Sequence, residues 1–120
     1  MRILIVDDSK AMRMIVLRTL RQSGLHIDDI REAADGAEAL QSVAEFNPQL
    51  VLSDWNMPNM NGMEFLKALR GQGDARCFGF ITAESNPAMR EEALSAGASF
   101  LLTKPFDADR FAEVVNGAMA

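Results

Sequence analysis

The chain has 120 residues, of which 48% are hydrophobic, and a formal net charge of −5 at pH 7. This length and apolar content suit one globular domain with its own core. Nucleic acids and anionic membranes attract basic surfaces, so the negative charge argues against both as main partners. The single cysteine cannot form an internal disulfide, and no apolar run approaches 18 residues. We therefore expect a cytoplasmic protein without membrane insertion.

Short apolar runs alternate along the chain with segments of helical periodicity, which is the pattern of βα units around a parallel sheet. In chain order, the predicted strands are 2–6, 29–33, 50–53, 77–81 and 99–103. The predicted helices are 10–23, 36–46, 63–70, 87–96 and 108–118. The second strand is mostly polar and is expected at an edge of the sheet. The pattern predicts a single α/β domain over residues 1–120, with no output domain.

Three acidic residues follow two of the predicted strands. Asp7 and Asp8 come directly after the first strand, and Asp54 comes after the third. The carboxyl ends of parallel strands meet at one edge of a sheet, so these side chains are expected to lie together. Each close pair of carboxylates repels by about 4 kcal/mol at an effective dielectric of about 20, so the cluster requires a positive group. Oxygen ligands favour a hard divalent cation, and the sequence therefore predicts a Mg²⁺ site.

Other strand ends add groups that suit phosphoryl transfer. Pro58 and Gly62 hold an open turn that is expected to leave the Asp54 carboxylate exposed, where it can attack phosphorus beside a metal. Thr82 ends the fourth strand with a hydroxyl donor, and Lys104 ends the fifth with a point charge for a phosphate oxygen. Phosphoryl transfer needs mainly in-line positioning and charge stabilisation, which these groups provide.

Taken together, the motifs strongly resemble response-regulator receiver domains, and among them the stand-alone chemotaxis regulators. The resemblance covers essentially the whole chain, and its carriers are Val6-Asp7-Asp8-Ser9, Asp54-Trp55-Asn56-Met57-Pro58-Asn59-Met60-Asn61-Gly62, Thr82-Ala83-Glu84, Ala96-Gly97-Ala98 and Lys104-Pro105-Phe106. It implies a doubly wound, flavodoxin-like parallel sheet of five strands in the order 2-1-3-4-5, of which the chemotaxis regulators are an established example. It also implies a cis peptide bond between Lys104 and Pro105.

The resemblance assigns the phosphoacceptor and the metal ligands. Asp54 would accept a phosphoryl group from a histidine kinase or a histidine phosphotransfer protein. Asp8, Asp54 and the backbone carbonyl of Asn56 would hold Mg²⁺, with Asp7 helping directly or through water.

The same resemblance assigns the residues that handle the phosphoryl group. Thr82 and Lys104 would bind its oxygens. Asn56 and Glu84 match positions that set the rate of phosphate loss in this family, and their side chains would orient an attacking water. We therefore expect a short-lived phosphorylated state. On this interpretation the protein is not an enzyme with a separate substrate, because it catalyses only its own phosphorylation and dephosphorylation.

The chain departs from the family at the switch aromatic, which is expected three residues before Lys104. That residue is Leu101, and the aromatic is Phe100, one place upstream. Adjacent strand residues point to opposite faces, so Phe100 cannot simply substitute. The usual coupling, in which a shift of the Thr82 hydroxyl lets an aromatic ring rotate inward, is therefore in question. Either a leucine repacks or the signal travels by another route.

The first helix carries apolar residues on two sides. The face expected to meet the sheet consists of Met12, Ile15, Val16 and Thr19. Met14 and Leu17 are expected on roughly the opposite side. In receivers this helix borders the phosphorylation site and docks the donor, so we predict that Met14 and Leu17 form a docking patch. The alternative is that they are ordinary exposed residues, which need no explanation.

The leading interpretation is a monomeric, chemotaxis-like signalling switch of a two-component system. Once phosphorylated, it would bind an effector, such as a flagellar motor switch protein, through its 4-5 face, the surface formed by the fourth and fifth βα units. A rival within the family is a phosphorelay carrier or phosphate sink without an output target. A haloacid dehalogenase-type phosphohydrolase is disfavoured, because its nucleophile lies in an Asp-x-Asp motif after the first strand and its cap domain does not fit in this length. An unphosphorylated pseudo-receiver is disfavoured because every active-edge residue is present.

Overall fold

The computed structural model describes residues 1–119 and contains five strands that alternate with five helices. The strands are β1 (Arg2–Val6), β2 (Asp29–Ala33), β3 (Leu50–Ser53), β4 (Cys77–Thr82) and β5 (Phe100–Thr103). The helices are α1 (Lys10–Gln22), α2 (Gly36–Phe46), α3 (Gly62–Gly71), α4 (Pro87–Ser95) and α5 (Ala108–Met119). Every predicted element is present, and no predicted boundary differs from the observed one by more than one residue.

The strands form one parallel sheet in the order β2-β1-β3-β4-β5, as the resemblance implied. The polar β2 lies at an edge, as expected. Val6 pairs with Ser53, and Thr82 pairs with Thr103. The carboxyl ends of neighbouring strands therefore lie beside each other, and the residues that follow them share one edge of the sheet.

An apolar core covers each face of the sheet. The α2/α3 core contains residues from those helices together with alternate strand residues, among them Leu4, Val51 and Phe80. The α1/α5 core lies on the other face and includes Ile5 and Leu52. The inner strands β1 and β3 are buried on both faces, which explains their apolar runs at residues 3–6 and 50–52. No helix within residues 1–119 is long and apolar enough to cross a membrane.

Local signals fix the two helices that begin next to the carboxyl edge. The Ser9 side chain caps α1 by accepting the N–H of Met12. Asn61 and Glu64 form a capping box at the start of α3. A Cβ atom at Gly62 would lie 2.2 Å from the carbonyl oxygen of Asp54, so only glycine lets α3 begin this close to the end of β3. The bond between Lys104 and Pro105 is cis, as the resemblance implied.

Candidate functional site

Three carboxylates meet at the carboxyl edge of the sheet. Asp7, Asp8 and Asp54 each offer an oxygen, and all three oxygens lie within 4.8 Å of one another. Asp7 is buried and Asp8 is exposed, whereas Asp54 is partly buried. Asp54 is therefore less exposed than the sequence predicts. Its carboxylate accepts a hydrogen bond from the backbone N–H of Trp55 at 2.8 Å, and its main chain packs closely against Gly62.

Asp7 is the most firmly held of the three acids. Its Oδ1 accepts the N–H of Ser9 at 2.9 Å, and its Oδ2 accepts a hydrogen bond from Lys104 Nζ at 3.3 Å. Its peptide group is also engaged on both sides, since its N–H donates to the carbonyl of Ala33 and its own carbonyl accepts from Arg13 Nη1 at 2.6 Å. In this state Lys104 is therefore an ion-pair partner of Asp7.

The electrostatics of the site leave it short of positive charge. Burial raises the pKa of Asp54 above its ordinary value, and the neighbouring carboxylates of Asp7 and Asp8 add to the rise. The Lys104 ammonium opposes the rise but does not cancel it. Carboxylate oxygens that lie within the reach of one ion are the ligands that Mg²⁺ favours, so the donor set fits this metal. Asn56, whose carbonyl is the further predicted ligand, is exposed in the turn after β3.

The groups predicted to handle a phosphoryl group lie at the ends of β4 and β5. Thr82 is only 2% exposed, and its hydroxyl accepts the N–H of Glu84 at 3.4 Å. That hydroxyl still has its own proton to donate. The Glu84 side chain is exposed. Lys104 follows β5, and its side chain is 15% exposed. The fold thus brings the predicted active-edge residues to the carboxyl ends of four strands.

Leu101 and Phe100 lie in the separate cores on the two faces of the sheet. Leu101 is 3% exposed and belongs to the α2/α3 core. Phe100 belongs to the α1/α5 core, where its ring occupies the space that a Cβ atom at Gly79 would need. The two side chains therefore cannot exchange roles, as strand alternation predicted. Leu101 reaches α4 through its carbonyl oxygen, which accepts from Arg90 Nη2 at 3.4 Å.

The predicted orientation of α1 is wrong at two positions. Ile15, expected against the sheet, is 50% exposed, and Leu17, expected on the outer side, packs partly against the α1/α5 core. The reason is that Val16 and Leu20 define the buried stripe, and at about 100° per residue Leu17 falls on the Leu20 side of it while Ile15 falls away. Met14 is 55% exposed, as expected.

Ile15 lines a small apolar groove between α1 and the segment that follows β5. The groove has a volume of about 160 Å³, and its wall includes Met12, Pro105 and Phe106. Lys104 borders it as well, so the groove adjoins the carboxyl edge of the sheet. It thus links the exposed side of α1 to the candidate site.

Arg13 is the site residue that sequence reasoning missed. It lies three residues before Val16 and seven before Leu20, so helical periodicity puts it on the buried stripe of α1. A cation on an apolar stripe needs buried partners, and that was the available signal.

The comparisons with known proteins agree with this geometry. A family model described as the response regulator receiver domain matches residues 3–116. The chain is 39% identical over 116 residues to the chemotaxis protein CheY of Bacillus subtilis (strain 168), covering 96% of this chain and 94% of that protein. It is 37% identical over 109 residues to CheY1 of Helicobacter pylori (strain J99), covering 88% and 86% of the two chains. The solved structure of chemotaxis protein CheY4 of Vibrio cholerae matches with a TM-score of 0.83 at 34% identity, over 98% of this chain and 97% of that one. From its sheet, its acidic edge and these matches, the chain belongs to the response-regulator receiver domains of two-component signalling and is CheY-like within that family.

Proposed function

We propose that this protein is a phosphoacceptor switch that receives a phosphoryl group on Asp54 and signals through protein contacts. The observation that carries the proposal is the carboxylate cluster with Lys104 at its border, at the carboxyl edge of a receiver sheet. The similarity to proteins named for chemotaxis supports a chemotaxis-like role. Receiver domains are signalling proteins, and the catalysis proposed here is limited to the protein's own phosphorylation and dephosphorylation.

Asp8, Asp54 and the carbonyl of Asn56 would hold Mg²⁺, with Asp7 binding it directly or through water. The ion would supply positive charge to the acids and to the oxygens of the transferring phosphoryl group. The support for this assignment is the cluster of hard oxygen donors, one of which is exposed to solvent.

In the transfer step an oxygen of Asp54 attacks the phosphorus of a phosphohistidine. The new P–O bond forms as the P–N bond breaks, and the electron pair of that bond leaves with the imidazole. Lys104, which pairs with Asp7 at 3.3 Å in the unphosphorylated protein, then exchanges that contact for a phosphoryl oxygen. The Thr82 hydroxyl donates a hydrogen bond to another oxygen of the phosphoryl group.

Loss of the phosphoryl group needs a water molecule in line with the P–O bond. Asn56 and Glu84 are both exposed and flank the acidic edge from the turns after β3 and β4. Their amide and carboxylate would orient the attacking water, which gives a short-lived phosphorylated state.

Trp55 provides the test of this proposal, because its backbone N–H donates to the Asp54 carboxylate and its ring centroid lies 4.7 Å from that of Phe80. We expect its fluorescence to change on addition of Mg²⁺ and again on addition of acetyl phosphate, and the second change should decay. Asp54→Ala should abolish the second change, whereas Asp109→Ala, an exposed acid in the first turn of α5, should not. If neither addition has an effect and no phosphoryl mass shift appears, the pseudo-receiver becomes the better interpretation.

We propose that the phosphodonor, a histidine kinase or a histidine phosphotransfer protein, docks on α1. Met14 and Leu17 remain the proposed patch, and the half-exposed Ile15 extends it toward Lys104 through the adjoining groove. The protein would act as a cytoplasmic monomer, without nucleic acid as a partner.

The output partner is the point on which the second candidate function differs. The leading proposal is binding of an effector, such as a flagellar motor switch protein, through the face formed by α4, β5 and α5. A phosphorelay carrier or phosphate sink is the second candidate, and the burial of Leu101 at the position of the family's aromatic favours it. Binding of an effector only when Asp54 is phosphorylated would support the first candidate, and its absence would support the second.

A further inference from the structure

We propose that Arg13 and Glu32 form a positioning pair that fixes the end of β1 and thereby sets the affinity of the acidic site for divalent cations. The inference rests on the proposed Mg²⁺ site and adds two residues outside the metal-ligand set. Neither side chain would touch the ion.

The first observation is the burial of a cation on the core side of α1. Arg13 shares a helical stripe with Val16 and Leu20, which are 3% and 0% exposed. Its own side chain is 16% exposed. A guanidinium in that position loses most of its hydration, so its N–H groups need acceptors within the protein.

The second observation is where those acceptors lie. Arg13 Nη1 donates to the carbonyl of Asp7 at 2.6 Å, and Nε donates to Glu32 Oε1 at 2.9 Å. The N–H of Asp7 donates in turn to the carbonyl of Ala33, the residue after Glu32 in β2. The guanidinium and this main-chain bond therefore close a bridge between β1 and β2, and the peptide groups on both sides of the Asp7 Cα atom are held.

This bridge acts at the residue that both Mg²⁺ and Lys104 need. Lys104 holds Oδ2 of Asp7 in the present state and would leave it for a phosphoryl oxygen. After that exchange, the Arg13 bridge and the Ser9 N–H still fix the Asp7 carboxylate in place. Residues that orient a metal ligand in this way change metal affinity by about 10–100-fold when they are removed.

The sign of the effect separates positioning from simple charge. A guanidinium repels a nearby divalent cation, so if Arg13 acted only through its charge, removing it would strengthen Mg²⁺ binding. A role in positioning predicts the opposite. Arg13→Met removes the charge and both hydrogen bonds but keeps an apolar side chain on the stripe, and we expect about tenfold weaker Mg²⁺ binding.

The experiment measures the Mg²⁺ dissociation constant by Trp55 fluorescence, together with the free energy of unfolding in EDTA and in Mg²⁺. A merely structural role would lower the free energy of unfolding equally in both solutions, whereas a positioning role reduces the stabilisation that Mg²⁺ adds. Arg13→Lys should also bind Mg²⁺ more weakly, because one ammonium cannot reproduce the two-armed bridge. Arg31→Met is the matched control. Arg31 is the neighbour of Glu32 on β2, but it pairs with Glu45 and stacks on Phe46.

Unchanged or tighter Mg²⁺ binding by folded Arg13→Met would overturn the inference. If that variant does not fold, substitutions of the exposed Glu32 provide the test. Glu32→Ala should then bind Mg²⁺ more weakly than Glu32→Gln, which keeps the acceptor and loses the same charge, and equal affinities would contradict the positioning role. If the wild-type protein itself did not bind Mg²⁺, the proposed function would fail instead.

Discussion

The negative charge on Asp54 destabilises the fold, and the proposed Mg²⁺ ion would offset that cost. This carboxylate is partly buried and lies with two other acids inside a 4.8 Å cluster. In EDTA we expect Asp54→Asn to raise the free energy of unfolding at pH 7 by about 1 kcal/mol, because it removes like-charge repulsion. In Mg²⁺ the gain should disappear, since the variant has also lost a metal ligand.

Urea unfolding with and without Mg²⁺ measures this difference. Asp29→Asn, at the exposed edge of β2, is the control and should show no Mg²⁺-dependent change. A gain that persists in Mg²⁺ would count against a metal at this cluster.

Gly62 illustrates how one missing methyl group shapes the site. A Cβ atom there would lie 2.2 Å from the Asp54 carbonyl oxygen and 2.9 Å from the Phe80 ring. We expect Gly62→Ala to destabilise the fold by about 1–3 kcal/mol and to slow phosphorylation by acetyl phosphate. The matched control is Gly117→Ala in α5, where an added Cβ meets nothing within 4 Å. That substitution should stabilise the fold slightly, because alanine has the higher helix propensity. Equal effects of the two substitutions on phosphorylation would contradict this account.

At the scale of elements, α1 is the helix on which we propose that the donor docks. Val16 and Leu20 are buried on one side of the helix, and two apolar residues on its outer side, Met14 and Ile15, are about half exposed. We expect substitution of Met14 and Leu17 by serine to slow transfer from a histidine phosphotransfer protein while phosphorylation by acetyl phosphate stays intact. Ile15→Ser should slow transfer more than Leu17→Ser alone, because Leu17 is partly packed into the core. Transfer rates from the same donor to each variant test this, and unchanged rates would refute the docking patch.

The same helix shows where sequence reasoning succeeds and where it stops. The central strands β1 and β3 could be placed from the sequence because each contains a short apolar run that acidic residues follow closely. In α1, however, the apolar residues are compatible with more than one buried stripe, and the packing against α5 and the sheet selects the one that contains Val16 and Leu20. Arg13 was missed for a different reason: its partner Glu32 lies on another element, 19 residues further along the chain.

At the scale of the whole molecule, the site could be anticipated because parallel topology gathers strand ends at one edge. The residues that follow β1, β3 and β5 could be placed at this edge once the strand order was known. What the sequence could not supply is the coupling between that edge and the proposed output face, formed by α4, β5 and α5. Leu101 is 3% exposed, while Ala93 is the only buried residue of α4 (residues 87–95). The helix with the fewest buried residues is thus the one that contacts Leu101, through a hydrogen bond from Arg90.

We expect the two ends of the sheet to contribute differently, one to stability and the other to the proposed phosphorylation. At the end opposite to the acidic site, the Asp74 carboxylate accepts hydrogen bonds from Arg76, which also donates to the carbonyl of Pro48 at 2.7 Å. This arrangement joins the segment that leads into β4 to the turn before β3. Asp74 and Arg76 are each 18% exposed at the side chain, so water weakens the pair only in part. Their contribution should therefore appear in global unfolding and not in phosphorylation.

The pH dependence of this pair follows from the pKa of Asp74, which the hydrogen bonds from Arg76 hold below its ordinary value of 3.8. Because the folded state favours the ionised form, the pair stabilises the fold fully above that ordinary value and loses its effect as pH falls through the lowered folded-state pKa. Asp74→Asn should cost about 1 kcal/mol at neutral pH, and the difference from the wild-type protein should shrink below pH 3.8. Urea unfolding across this range, with acetyl phosphate reactivity measured at neutral pH, tests both halves of the argument. A stability difference that does not change with pH would show that packing alone is responsible, and a loss of phosphorylation would show that the two ends of the sheet are coupled.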